Sequence, residues 1–168
     1  EKFEAALTQT ECDAVLVTNL KNIYYLTGFS GTEATVFIGK NRRIFLTDAR
    51  YTLIAKGVVQ GFDIVETRDA LGEIVKIIAD EKLQKIGFED EISYAYFKML
   101  ESVFSAYELI PMTAFIENLR MIKDEQEIAT IRKACQISDQ AFLDVLDFIK
   151  PGETTELAVM NFLDARMR

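Results

Sequence analysis

The chain has 168 residues, 49% of them apolar and 27% charged, which suits one ordinary core or a compact domain with a helical extension and excludes a disordered chain. Its 19 basic residues stand against 27 acidic ones, and a formal charge of -8 argues against nucleic acid or an anionic membrane as partner, since both draw affinity from clustered Lys and Arg. There is no histidine, so Ser-His-Asp and Cys-His catalysis and His-based zinc or iron sites are excluded within this chain. Lys40, Arg42 and Arg43, the one basic concentration, read as a solvated turn. Cys12 and Cys135 lie far apart with no knuckle spacing, which predicts reduced thiols. No basic n-region and no apolar run of ~20 residues is present, which predicts a soluble, cytoplasmic protein. The sequence opens on Glu1 rather than Met, read as an amino end trimmed or not observed.

Phe3, Ala6 and Leu7 predict a short amphipathic helix, and Ala14-Val15-Leu16-Val17 a buried strand passing into a loop at Thr18-Asn19. Thr35-Val36-Phe37-Ile38 and Arg43-Ile44-Phe45-Leu46-Thr47 flank Gly39-Lys40-Asn41-Arg42, whose Gly and Asn suit positive φ angles, so a β-hairpin is expected. From Ala49, Tyr51, Leu53, Ile54 and Val58 suggest a helix broken near Gly61, and Asp63–Glu66 a strand. Leu71, Ile74, Val75, Ile78 and Leu83 recur at helical spacing before the strand Lys85–Glu89. Ser93 reads as the N-cap of a helix through Tyr96, Phe97, Leu100, Val103 and Phe104, and Glu108–Pro111 as a last strand. Alternating helices and strands with one hairpin give an α/β fold with a mixed sheet.

Near Asn118 the pattern turns wholly helical. Asp124 with Glu127 forms a capping box for a long helix with an apolar face at Ile128, Ile131, Cys135, Ser138, Phe142, Val145 and Ile149. Pro151-Gly152 ends it, and Thr154 or Thr155 caps a second helix that reaches Arg168 without a stop signal. The expected division is therefore 1–118 and 119–168.

Little chemistry is concentrated. Glu89-Asp90-Glu91 is the densest acidic cluster, but acids ahead of a helix starting near Ser93 are explained by its dipole, so no metal ligands are assigned. Gly28-Phe29-Ser30-Gly31 lacks the spacing of a P-loop or dinucleotide fingerprint, yet it is expected to present an exposed aromatic, Phe29, on a recognition loop. Asp48 reads as an N-cap and Arg50 as partner of a nearby acid, while Arg50 and Tyr51 are of the types that contact ligands or a second subunit. Phe29, Ser30, Arg50 and Tyr51 are thus the candidate contact residues, with no catalytic residue among them.

Asn22 through Thr32, followed by Phe45 through Tyr51, resembles the amino-terminal domain of the creatinase, prolidase and aminopeptidase P family. Leu119–Ala134 resembles the junction into that family's pita-bread catalytic domain, and Phe148–Glu156 the turn between its first two helices. The resemblance implies a ribonuclease-H-like, creatinase-type α/β domain followed by the first two helices of a truncated catalytic domain. It further implies a bacterial parent that hydrolyses Xaa-Pro bonds as a dipeptidase or aminopeptidase. Two divalent metals such as manganese, cobalt or zinc would be held by Asp, Asp, His, Glu and Glu, none of which can be carried onto this sequence. The implied partners are the chain's own catalytic domain, a second subunit in a homodimer, and a proline-containing peptide. In the family this domain places a loop near the partner subunit's active-site mouth, here around Phe29 and Ser30. Two other classes remain: a non-enzymatic binding module, as in histone-chaperone subunits of the same fold, and a carboxylate-metal nuclease on a ribonuclease-H-like sheet, for which converging acids and a basic face are wanting.

Overall fold

The structure is a computed structural model describing residues 2–168; Glu1, on which the expected first domain opens, lies outside the described residues. The chain forms two compact units, 1–121 and 122–168.

The first unit is built on a six-stranded sheet. In chain order its elements are α1 (Lys2–Leu7), β1 (Ala14–Val17), α2 (Leu20–Thr27), β2 (Thr35–Gly39), β3 (Arg43–Thr47), α3 (Thr52–Val58), β4 (Asp63–Glu66), α4 (Ala70–Glu81), β5 (Lys85–Glu89), α5 (Tyr94–Val103), β6 (Glu108–Met112) and α6 (Phe115–Met121). The strand order is β4-β3-β2-β1-β5-β6. β2 runs antiparallel to both neighbours, with Leu16 opposite Phe37 and Phe37 opposite Ile44, whereas β3–β4, β1–β5 and β5–β6 are parallel. The mixed sheet, the hairpin and the helical part that follows are those the sequence predicts.

Central strands are buried on both sides because each face carries its own apolar set, as period-two alternation requires. Val15, Val17, Val36, Ile38 and Phe45 join Phe3, Leu7, Ile23, Ala55 and Ile116 on one face, so α1, α2, α3 and α6 cover it. Leu16, Phe37, Ile44, Leu46 and Ile86 pack on the other with Ile74 and Ile78 of α4 and Leu100 of α5. Cys12 is buried 4.0 Å from the Met112 sulfur, and burial pushes its thiol pKa up; Cys135 is exposed, and both thiols are free.

Local chemistry sets the element ends. Ser93 Oγ accepts from Tyr96 N–H as the sequence predicts, and Asp69 accepts from Gly72 N–H at the start of α4. The sequence assigned no element to 20–27, where Asn19 caps α2 by accepting from Lys21 N–H. Gly28 ends that helix at φ 74°, donating to the Tyr24 carbonyl, a left-handed conformation that glycine adopts without a Cβ penalty.

Expectations for the hairpin and for the start of α3 are corrected. The hairpin closes by Gly39 N–H on the Arg42 carbonyl at 2.9 Å, but neither Gly39 nor Asn41 takes positive φ, because three residues connect the strands and no two-residue primed turn is needed. Asp48 is not an N-cap: α3 begins after Tyr51, which makes no side-chain cap, and Asp48 is occupied by Arg50. Leu53, Ile54 and Val58, which suggested α3, are exposed, and its buried residue is Ala55.

The second unit comprises α7 (Glu125–Phe148) and α8 (Glu156–Met167). The capping box forms, with Asp124 accepting from Glu127 N–H and Glu127 from Asp124 N–H. Thr155 caps α8. Phe148 stacks on Phe162 at 4.4 Å and Arg166 pairs with Asp144, so the two helices run antiparallel. Of the expected α7 stripe only Val145 is buried; Ile131, Phe142 and Ile149 are exposed.

Asp13 joins the starts of β1 and β5 by accepting from the N–H groups of Gln84 and Lys85 at 2.9 and 3.0 Å. The Lys85 and Gln84 backbone N–H groups hold its carboxyl below the usual carboxylate range. A depressed folded pKa stabilises the fold above the unfolded value near 3.8 and is lost as pH falls through the folded value. Asp13→Asn is therefore expected to lower stability at neutral pH and flatten its loss below about pH 4. Urea midpoints measured across that range check this; an unchanged acid limb overturns it.

Candidate functional site

Because β2 alone is reversed, the exits of β1, β3, β4, β5 and β6 share one rim of the sheet with the entry into β2 at Thr35. Open α/β sheets bind ligands at that rim, beyond the carboxyl ends of their parallel strands.

Glu89, ending β5, organises its middle. One carboxylate oxygen accepts from Thr18 and Asn19 N–H, both at 2.7 Å, and the other from the Asn22 side-chain amide at 2.6 Å. Asn22 is fully buried; its amide also donates to Glu117, and its carbonyl oxygen accepts from Arg120 at 2.9 Å, so α6 is tied to α2. Glu89 therefore serves the entry to α2, not the dipole of α5. The reason is the parallel β1–β5 pairing, which ends Glu89 beside the chain leaving β1. Asp90 accepts from the Thr113 hydroxyl. Among the described residues no group of three or more Cys, Asp or Glu side chains could hold a metal ion.

Three of the four contact residues chosen from sequence form one chain of contacts. Phe29 meets Tyr51 edge to face at 5.7 Å, the Arg50 guanidinium lies 5.4 Å from the Tyr51 ring centre, and the Tyr51 hydroxyl is 2.8 Å from that of Thr32. Ser30 is exposed beside them. The expected exposure of Phe29 is overturned: it is 1% exposed and packs on Phe45 at 4.9 Å. The ring folds back into the core between Gly28 and Gly31, and a Cβ on Gly31 would collide with its Cζ. Arg50 pairs with an acid as expected, donating from Nε to Asp48 at 2.9 Å, and this bond holds the Asp48 carboxyl low and the Arg50 pKa high.

Among the described residues, clefts open on the rim. One, of about 370 Å³, lies at the ends of β3 and β4 between Glu33, Thr35, Asp48, Arg50, Thr67 and Arg68. Another, of about 450 Å³, lies by β1 and α5 and includes Thr18, Glu33, Thr35, Ser93 and Tyr96. Burial, and then the charges of Glu89 and Glu33, push the Tyr96 phenol pKa up. The sequence reading passed over Glu33, Thr35, Thr67 and Arg68. The only signal was their place at strand ends, which becomes informative once the reversal of β2 is known.

Strand order, the reversed β2 and helices on both faces define a mixed α/β domain. The profile of the Creatinase/Prolidase N-terminal domain family matches residues 1–122, and the chain belongs to that family. It is 36% identical over 173 residues to an uncharacterized peptidase of Bacillus subtilis, covering all of this chain and 48% of that protein. A Xaa-Pro dipeptidase from Bacillus anthracis aligns with 99% of this chain and 47% of its own at TM-score 0.86 and 34% identity. An aminopeptidase P from Streptococcus thermophilus is 56% identical, with TM-score 0.69 over 71% of this chain and 93% of its own. The chain spans about half the length of the curated relatives it matches, at 48% and 43% of the first two.

Gly31→Ala is expected to destabilise the first unit by about 1–3 kcal/mol, since the added methyl meets a ring that is itself held on Phe45 and Tyr51. Urea unfolding measures the cost, and a change within about 0.5 kcal/mol, the range of ordinary surface substitutions, overturns it.

Proposed function

We propose that this chain is the non-catalytic amino-terminal part of a metal-dependent Xaa-Pro peptidase, contributing to dimerisation and substrate access. The observation that carries this is the match to a Xaa-Pro dipeptidase over 99% of this chain and 47% of the relative. Residues 1–118 are the accessory domain and 119–168 the connection and first helices of the catalytic domain. Two divalent metals, such as manganese, cobalt or zinc, belong to that domain's remainder, outside this sequence. The exposed Phe142, Leu146, Leu157 and Met160 of the second unit are the apolar surface offered to it. A homodimer brings the loop at Phe29 and Ser30, with Arg50 and Tyr51, toward a proline-containing peptide at the partner's site; buried Phe29 supports that loop and the exposed Ser30 and Arg50 make the contacts. The cytoplasm is the proposed location; no helix among the described residues is long and apolar enough to cross a membrane.

The purified 168-residue chain is expected to release no amino acid from alanyl-proline with added manganese or cobalt. The longer protein continuing past Arg168 is expected to do so and to lose activity to a chelator. Turnover by the chain alone, or an inert metal-loaded longer protein, overturns the reading. In the longer protein Arg50→Ala is expected to raise KM several-fold while kcat stays within about twofold, the signature of lost uniform binding. An unchanged KM removes Arg50 from substrate access.

A further inference from the structure

Asn22 stands where three elements meet, out of reach of solvent. Its amide nitrogen donates to Glu89, at the end of β5, and to Glu117 of α6, while its oxygen accepts from Arg120 in the last turn of α6. A buried polar group that loses one partner finds no water to replace it, so its remaining bonds shift with the loss. The network starts at a cleft wall. Thr18, which lines the cleft by β1 and α5, gives both its N–H, at 2.7 Å, and its hydroxyl, at 3.3 Å, to one Glu89 oxygen. The other Glu89 oxygen holds Asn22. An unbroken series of hydrogen bonds therefore runs from Thr18 through Glu89 and Asn22 to Arg120, which adjoins the exposed segment 121–124 leading into α7.

α6 is the element of this series with a second state open to it. Seven residues are too few for a helix to hold itself in water. The chain also enters α6 through Ala114 at φ 51°, a left-handed conformation that a Cβ disfavours, so surrounding contacts must keep it there. Buried Ile116, and Phe115 edge to face with Phe3 at 5.5 Å, anchor the first turn. The last turn is tied down by Arg120 on Asn22 and by a 3.4 Å bond from the Tyr25 hydroxyl to the Leu119 carbonyl. Both of those bonds come from α2, whose entry Glu89 sets. Local opening begins where such ties are fewest, here at the carboxyl end of α6.

We propose that Glu89, Asn22 and Arg120 form a relay that couples the cleft wall at Thr18 to the order of the junction following α6, so that wall and junction tighten or loosen together. The device lies within the first unit and does not rest on the peptidase reading.

Amide hydrogen exchange of the isotopically labelled 168-residue chain tests it. Glu89→Gln, which leaves every α6 side chain in place, is expected to speed exchange at Asn118–Met121 at least about fivefold. Thr47→Val removes another buried rim bond, 2.6 Å from the Thr47 hydroxyl to the Glu33 carbonyl, but lies off the relay, and is expected to leave those amides within about twofold. Coupling between two places is reciprocal, so Arg120→Met is expected to speed exchange at Thr18, Asn19 and Ile23 by a similar factor. Arg120 is only partly buried, and this variant decides the matter if Glu89→Gln fails to fold. Unchanged exchange at α6 in folded Glu89→Gln, unchanged exchange at Thr18 and Asn19 in Arg120→Met, or an equal loss at α6 in Thr47→Val overturns the proposal. Peptidase activity enters none of these readouts, so failure here would leave that reading untouched.

Discussion

The Glu89 carboxylate is the interaction on which the rim depends. A carboxylate ending a central strand must have its lone pairs satisfied, and Glu89 finds donors in the two N–H groups that leave β1 and in the Asn22 amide. Those bonds set where α2 begins. Asn22, fully buried, carries the constraint on to Glu117 and Arg120, so the helix that closes the unit is held by the residue that opens the rim. A half-satisfied buried network costs more than none, which makes these partners mutually dependent.

The mixed sheet follows from how β2 is fed. A three-residue connection joins β2 to β3 and forces them antiparallel, while crossovers through α3 and α5 make β3–β4 and β5–β6 parallel, and α4 carries the chain across to β5, which pairs parallel with β1. The two patterns meet at β1, between β2 and β5, and at β3, between β2 and β4; the four residues of β1 are buried on both faces. Entry to β2 and exit from its neighbours therefore lie side by side, which brings Glu33 and Thr35 near Thr67 and Arg68.

Much of this was legible in the residues. β1, β4 and β5 fall on the predicted spans because each carries a short run with β-branched or aromatic residues, and Ser93, Asp124 and Thr155 announce their helices by capping chemistry. The helix Leu20–Thr27 was not legible, because its β-branched and aromatic residues suit a strand as well as a helix. The aromatic of the Gly-Phe-Ser-Gly loop was misread for a related reason. Composition places Phe29 in a loop, but only the approach of Phe45 and Tyr51 shows that the ring turns inward. Tyr51 and Arg50 are chosen by residue type alone; that Glu33 and Arg68 line one cleft needed strand order, since 35 positions separate them in sequence.

The inward turn of Phe29 has a consequence for loop entropy. A segment pinned by an aromatic ring against the core, closed by a left-handed glycine at one end and packed tightly at Gly31, has already lost its conformational freedom when the unit folds. A partner meeting Ser30, Arg50 or Tyr51 would find a surface ordered by folding rather than by association, a preorganised edge instead of a moving flap.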